Sequence, residues 1–199
     1  MHNTKDSAIR TESSYYDEIC AVLQENMSRV LTPLGEYNVH FQKCGTKDML
    51  WGLQQIHKSI TQTEYIPNQR DQFTQDLFVD IVGSVCPEGE IKRSTRIICE
   101  IKIKTLTLND YAQLLGYCVT ANVEHGLLIS VDQGVSSRFD SNLRRNENLK
   151  SVERPNVTHK FGILKFRTRG KEIEFNEIGY YQSWYVLARA LVRSINKIV

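Results

Sequence analysis

From Ile97 to Lys104 the chain reads Ile-Ile-Cys-Glu-Ile-Lys-Ile-Lys, apolar at every odd position and charged at 100, 102 and 104. A strand with this alternation sends Ile97, Cys99, Ile101 and Ile103 to one face and Glu100, Lys102 and Lys104 to the other. An acid and an amine two residues apart then project side by side. Upstream, Asp80 interrupts the apolar run at 76–83, where Leu77, Val79 and Ile81 share a face and Phe78 points away with Asp80. If the two strands pair as a hairpin, Asp80 and Glu100 meet at one point. Carboxylates that close repel each other and stay ionised only with a cation between them. Such oxygen donors suit Mg²⁺ or Mn²⁺, which keep several waters and bind substrate phosphates. The chemistry this points to is phosphodiester hydrolysis, with the cation stabilising charge on the phosphate and the lysine orienting or deprotonating a water.

The surrounding elements must deliver those residues. Tyr16, Ile19, Cys20, Leu23, Met27 and Val30 recur at three-to-four spacing and predict a helix over 14–30, with Ser14 and Asp17 as a capping box. Thr32-Pro33-Leu34-Gly35 ends it. A strand at 37–43, a helix at 48–60 and a polar loop at 61–74 follow. Strands at 76–83 and 95–104 flank a turn at Pro87-Glu88-Gly89. Thr107 and Asp110 open a helix to about 120, with Tyr111, Leu114, Leu115 and Cys118 on its apolar face. A short buried strand is expected at 125–131, a polar loop with at most a helical turn at 133–158, and a hairpin at 161–168 and 171–176 turning at Arg169-Gly170. A closing helix at about 179–197 carries Trp184, Leu187, Leu191 and Ile195. The order predicts a single domain of mixed α/β or α+β class, a central sheet flanked by helices.

Asp80, nineteen intervening residues, then Glu100-Ile101-Lys102 resembles the D-x(n)-(D/E)-x-K signature of the PD-(D/E)XK nuclease superfamily. Gln113 and Tyr117, at i and i+4 on the following helix, resemble the Q-x-x-x-Y motif of its RecB-like branch. The likeness covers about 14–131 as a restriction-endonuclease-like core; 132–199 is an extension that matches no motif. It implies a Mg²⁺- or Mn²⁺-dependent deoxyribonuclease in which Asp80, Glu100 and the Ile101 carbonyl hold the metal. Lys102 would be the catalytic lysine, Gln113 a positioner, and Tyr117 and Lys104 contacts to DNA. A glutamate of the first helix, Glu18 or else Glu25, would approach the metal. Val79 stands where the motif's name has proline. The upstream histidine of the RecB-like branch has only His57 and His40 as candidates. The same residues also fit a chain that keeps the fold and binds nucleic acid without cutting it. A homodimer stays open, although the closing helix reads as a seal on the core.

Charge supports a polyanionic partner without specifying one. Residues 1–80 hold 7 Lys/Arg against 11 Asp/Glu, and 81–199 hold 18 against 12. Nine basic and two acidic residues crowd 141–171, and Arg144 and Arg145 are the candidate phosphate contacts. No apolar run reaches the roughly 20 residues of a spanning helix, and the polar opening MHNTKDSAIRTESS lacks a secretory h-region. A cytoplasmic chain without a membrane partner is expected. Five cysteines without a C-x-x-C pair read as reduced, mostly buried thiols, which excludes zinc ribbons and iron–sulfur clips. Trp51 and Trp184 read as packing residues. No Gly-rich phosphate loop supports ATP hydrolysis.

Overall fold

Helix α1 (Tyr16–Leu31) buries Ile19, Leu23 and Met27 along one stripe, as their spacing requires. In this computed structural model, which describes residues 10–67 and 69–197, α1 leads into β1 (Tyr37–Lys43) and α2 (Met49–Thr61). The polar opening segment 1–9 lies outside the described residues. The chain continues through β2 (Ile81–Pro87), β3 (Thr95–Lys102), α3 (Leu108–Thr120), β4 (His125–Val131) and α4 (Ser137–Arg145). Then come β5 (Ser151–Arg154), β6 (Val157–Arg167), β7 (Glu172–Phe175) and α5 (Trp184–Asn196). Side chains or box partners cap four of the helices. Asp48 accepts from Trp51, Ser136 from Phe139 and Ser183 from Val186, and Thr107 with Asp110 forms the expected capping box.

The strands form one sheet in the order β1-β2-β3-β4-β6-β5, with β7 also on β6. β1, β2 and β3 run antiparallel, and β3, β4 and β6 run parallel. β5 and β7 each pair antiparallel with a different part of β6. α1 and α5 cover one face, where Ile97, Cys99, Ile101, Leu127 and Ile129 meet Leu23, Met27, Leu187 and Leu191. α2, α3 and α4 cover the other, against Val82, Ile98, Leu128 and Ile163. The molecule is therefore an α+β protein with a mixed seven-stranded sheet between helices. Residues beyond 131 belong to the same core: Leu164, Phe166, Leu187 and Leu191 are buried with the residues of α1.

Several expected boundaries shift. The strand expected at 76–83 begins at Ile81 and runs to Pro87. Asp76 takes φ 61, Met49 donates to the Leu77 carbonyl, and Cys44 donates to that of Asp80. Residues 76–80 are thus drawn off to tie down the start of α2. Gly83 is expected to end the strand, yet the chain runs on through Ser84 in a strand paired on both sides. A side chain at 83 would meet the Phe41 ring at 2.5 Å, so glycine is required there. β3 ends at Lys102, leaving Ile103 exposed at a bend instead of on the core face. The stretch expected as loop at 133–158 holds α4 and β5, because Phe139 and Leu143 alone suffice to anchor a short helix. The Ser14–Asp17 box does not form; the Ser14 hydroxyl donates to the Thr11 carbonyl and Asp17 pairs with Lys43 at 2.6 Å. The closing helix starts at Trp184, not 179. All five cysteines are free, four of them buried. Among the described residues no helix is long and apolar enough to cross a membrane.

Candidate active site

β2 and β3 pair with Ile81 opposite Cys99, so the next positions outward are Asp80 and Glu100. Two side-chain bonds fix Asp80: Oδ2 accepts from the Ile101 amide at 2.7 Å, and Oδ1 accepts from the Tyr16 hydroxyl. Its own carbonyl takes the Cys44 amide at 2.9 Å. Asp80 is thereby laced to β3, to α1 and to the end of β1. On β3, Lys102 Nζ donates to Glu100 Oε1 at 2.6 Å and lies 3.9 Å from Glu12 Oε2. Side-chain exposure is only 3% for Glu100 and 12% for Lys102, so charge is held where water screens it poorly. Asp80 reaches the Ile101 amide and Lys102 reaches Glu100, but Asp80 does so from a bend outside β2 and not by strand parity. Val79 packs with the α2 layer and Ile81 with the α1 layer, so the face expected to be shared by Leu77, Val79 and Ile81 does not form.

The electrostatics follow from that crowding. Burial pushes the Glu100 carboxyl up to about 7; the charge of Asp80 adds to the rise and Lys102 offsets part of it. Burial pulls the Lys102 ammonium down, but Glu100, Glu12 and Asp80 together outweigh it, and its pKa ends above the ordinary lysine value. Burial, then the Asp80 carboxylate, drive the Tyr16 hydroxyl far up, so Tyr16 serves as a fixed donor. Glu100 therefore takes a proton near neutrality.

The donors fit a hard divalent ion in kind. Two carboxylates and a strand carbonyl leave positions for water and phosphate oxygen, as Mg²⁺ prefers. No group of three or more Asp, Glu, His or Cys side chains is close enough to form an all-side-chain cage among the described residues. The third nearby acid is Glu12, in the single 3-10 turn Glu12–Tyr15 that precedes α1. Neither Glu12 nor the hydroxyl of Tyr16 figured among the expected site residues. Tyr16 reads as one more apolar position of the helix, and Glu12 lies ahead of the periodic pattern.

The other expected site residues divide. Gln113 Nε2 donates to the Tyr117 hydroxyl at 2.8 Å, so the two share a face of α3, which packs on β3 and β4. Glu18 does not join the acids: it pairs with Lys171 at 3.4 Å. Glu25 is held by Arg29 at 2.6 Å. Residues 18 and 25 lie further along α1 from Tyr16, which is itself the helix residue that reaches Asp80. Lys104 stands past the strand end, paired with Asp110 at 3.2 Å. Arg144 is claimed by Asp140 at 2.8 Å and Glu177 at 2.7 Å, whereas Arg145 is exposed on the same helix. His57 bonds to Thr63 and His40 to Ser59, both away from the acids. Trp184 packs edge-on against Phe175 at 5.0 Å between ring centres.

A second polar cluster lies at the opposite end of β4. Tyr181 donates to His125 Nδ1, His125 Nε2 donates to Ser194 Oγ at 3.0 Å, and Ser194 donates to Glu124 at 2.6 Å. Lys160 completes the chain by an ion pair to Glu124. Burial lowers the His125 pKa to about 3, so the ring is neutral and every member is paired. A cavity of about 1030 Å³ touches this end, lined by Arg96, Glu124, Ser194 and Lys197 among others but by none of Asp80, Glu100 or Lys102. The cavity and the acid–lysine group therefore lie apart. Compared with known proteins, the chain matches no family model, no curated protein and no solved structure.

Proposed function

We propose that this chain is a metal-dependent nuclease that hydrolyses DNA phosphodiester bonds at Asp80, Glu100 and Lys102. One observation carries the reading. A buried strand carboxylate, Glu100, pairs with Lys102 beside the half-buried Asp80, and burial together with Asp80 drives Glu100 to about 7. A structural ion pair would need one acid for one amine; here the acids exceed the base.

Asp80, Glu100 and the Ile101 carbonyl would hold Mg²⁺ or Mn²⁺, with Glu12 in the role expected for Glu18. The ion supplies Lewis-acid stabilisation of the negative charge that builds on the phosphate. Tyr16 and the Ile101 amide orient Asp80 before anything binds. Lys102 holds its proton at Nζ and donates it as a hydrogen bond to a phosphate oxygen as water attacks phosphorus and the ester oxygen leaves. Gln113, with Tyr117 beside it, would line the approach of the strand being cut, and Arg145 would contact the backbone. DNA in preference to RNA rests on the family resemblance alone.

The experiment is a cleavage panel on linear, circular, single-stranded and branched DNA, with Mg²⁺, Mn²⁺ or chelator. Metal-dependent cutting by the wild type, and none by Lys102→Ala, supports the reading. Equal cutting by both proteins reveals a contaminant. The competing reading is a nucleic-acid-binding protein that keeps the fold and does not cut. DNA binding without cleavage under every condition would establish it.

A further inference from the structure

Ser130 is fully buried in β4, and its hydroxyl is one of two buried side-chain polar atoms with no hydrogen-bond partner among the described residues. Buried polar groups are almost always paired, so an orphan calls for an explanation, and a partner that arrives in another state is one. Its neighbours identify that partner. β3 and β4 are parallel with Lys102 opposite Ser130, and β4 and β6 are parallel with Ser130 opposite Lys165. Ile101 and Ile129 both face the α1 layer, and Leu128 and Ile163 both face the α2 layer. By alternation Lys102, Ser130 and Lys165 therefore form one row on the second face. Glu100 lies on that face too, diagonally behind Ser130.

We propose that Ser130 is a positioning residue for Lys102. This inference rests on the nuclease reading for its consequence, though not for its geometry. In the structure Lys102 gives one of its three N–H donors to Glu100, with Glu12 3.9 Å away. When those acids turn to a cation, the ammonium needs another acceptor, and the Ser130 oxygen is the unpartnered atom in the adjacent strand. Being sealed from solvent, that hydroxyl acts on the lysine and not on DNA. Lys165, on its other side, is also a donor. Ser130 thus holds Lys102 at a fixed height while the acids are engaged elsewhere.

The test has two arms on the full chain. In the first, Ser130→Ala should lower kcat for metal-dependent cleavage about tenfold with KM for DNA unchanged, and Ser130→Thr, which keeps the hydroxyl, should restore much of it. Equal loss in both variants would mean that packing alone matters and would overturn the proposal. The second arm needs no cleavage. With ¹⁵N-labelled lysine, the Lys102 ammonium signal should persist in Glu100→Ala, where the hydroxyl holds it. It should vanish into solvent exchange in Glu100→Ala/Ser130→Ala. Signals that are alike in the two proteins overturn the positioning role. An inactive wild type whose Lys102 signal depends on Ser130 overturns the nuclease reading while upholding this one.

Discussion

Asp80 Oδ2 accepts the Ile101 amide at 2.7 Å. This bond ties the aspartate just ahead of one strand to the backbone between the glutamate and lysine of the next. It orients Asp80 before any ligand arrives, the preorganisation that the proposed hydrolysis would use. It also explains why Asp80 can stand just outside β2: the hydrogen bond replaces a ladder contact.

Removing the amine tests the division of labour. Lys102→Ala should lower metal-dependent DNA cleavage by about a hundredfold or more, the usual scale for losing a preorganised donor to transition-state charge. Thermal unfolding should show an intact fold, since Lys102 lies at the end of its strand. A variant that unfolds would assign Lys102 a structural role.

Glu100 makes stability depend on pH in a definite direction. Its pKa rises from 4.5 to about 7 on folding. The folded state therefore favours the protonated acid, and this contribution is present below 4.5 and lost as pH rises through 7. Glu100→Gln, which cannot ionise, should be more stable than wild type by roughly 1–3 kcal/mol at pH 8 and nearly equal to it at pH 4. Denaturant unfolding at the two pH values reads the difference. A Gln variant less stable at pH 8 would mean the carboxylate is already compensated.

Two glutamates near the start of the chain separate the structure from the motif. Glu12 approaches Lys102 at 3.9 Å, whereas Glu18 sits with Lys171. Glu12→Ala should raise the Mg²⁺ concentration needed for half-maximal cleavage several-fold, and Glu18→Ala should leave it unchanged. Metal titrations of the two variants decide; the reverse ranking would restore the expectation drawn from the sequence.

The basic stretch 141–171 is less free than its composition suggests. Arg144, Lys150, Lys160, Arg167 and Lys171 each pair with an acid. Arg145→Ala should therefore weaken DNA binding and flatten its salt dependence by about one phosphate contact. Arg144→Ala should do less, its guanidinium being already engaged by two carboxylates. Fluorescence anisotropy at several salt concentrations measures both, and equal effects would show that DNA displaces Asp140 and Glu177.

What the sequence disclosed was whatever periodicity encodes. Alternation at 97–102 placed Glu100 and Lys102 on one face, and three-to-four spacing located α1, α3 and α5. Contacts between distant segments were not legible: Tyr16 reaching Asp80 spans 64 positions. Ser130 lay hidden in an apolar run, because strand register alone sets it beside Lys102. β2 runs past its expected end at 83 because the turn signal at Pro87-Glu88-Gly89 does not show where the strand stops, and Phe41 fills the space over Gly83. α4 escaped because two apolar residues give too short a pattern to distinguish helix from loop.

Calorimetric titration of Mn²⁺ into the wild type and Asp80→Asn at pH 8 bears most directly on the central claim, that paired acids grip a hard cation. Saturable binding to the wild type, weakened at least tenfold in the variant and fading in the wild type as pH falls below 7, is the expected result. No binding to the wild type, or equal binding to both proteins, would contradict it.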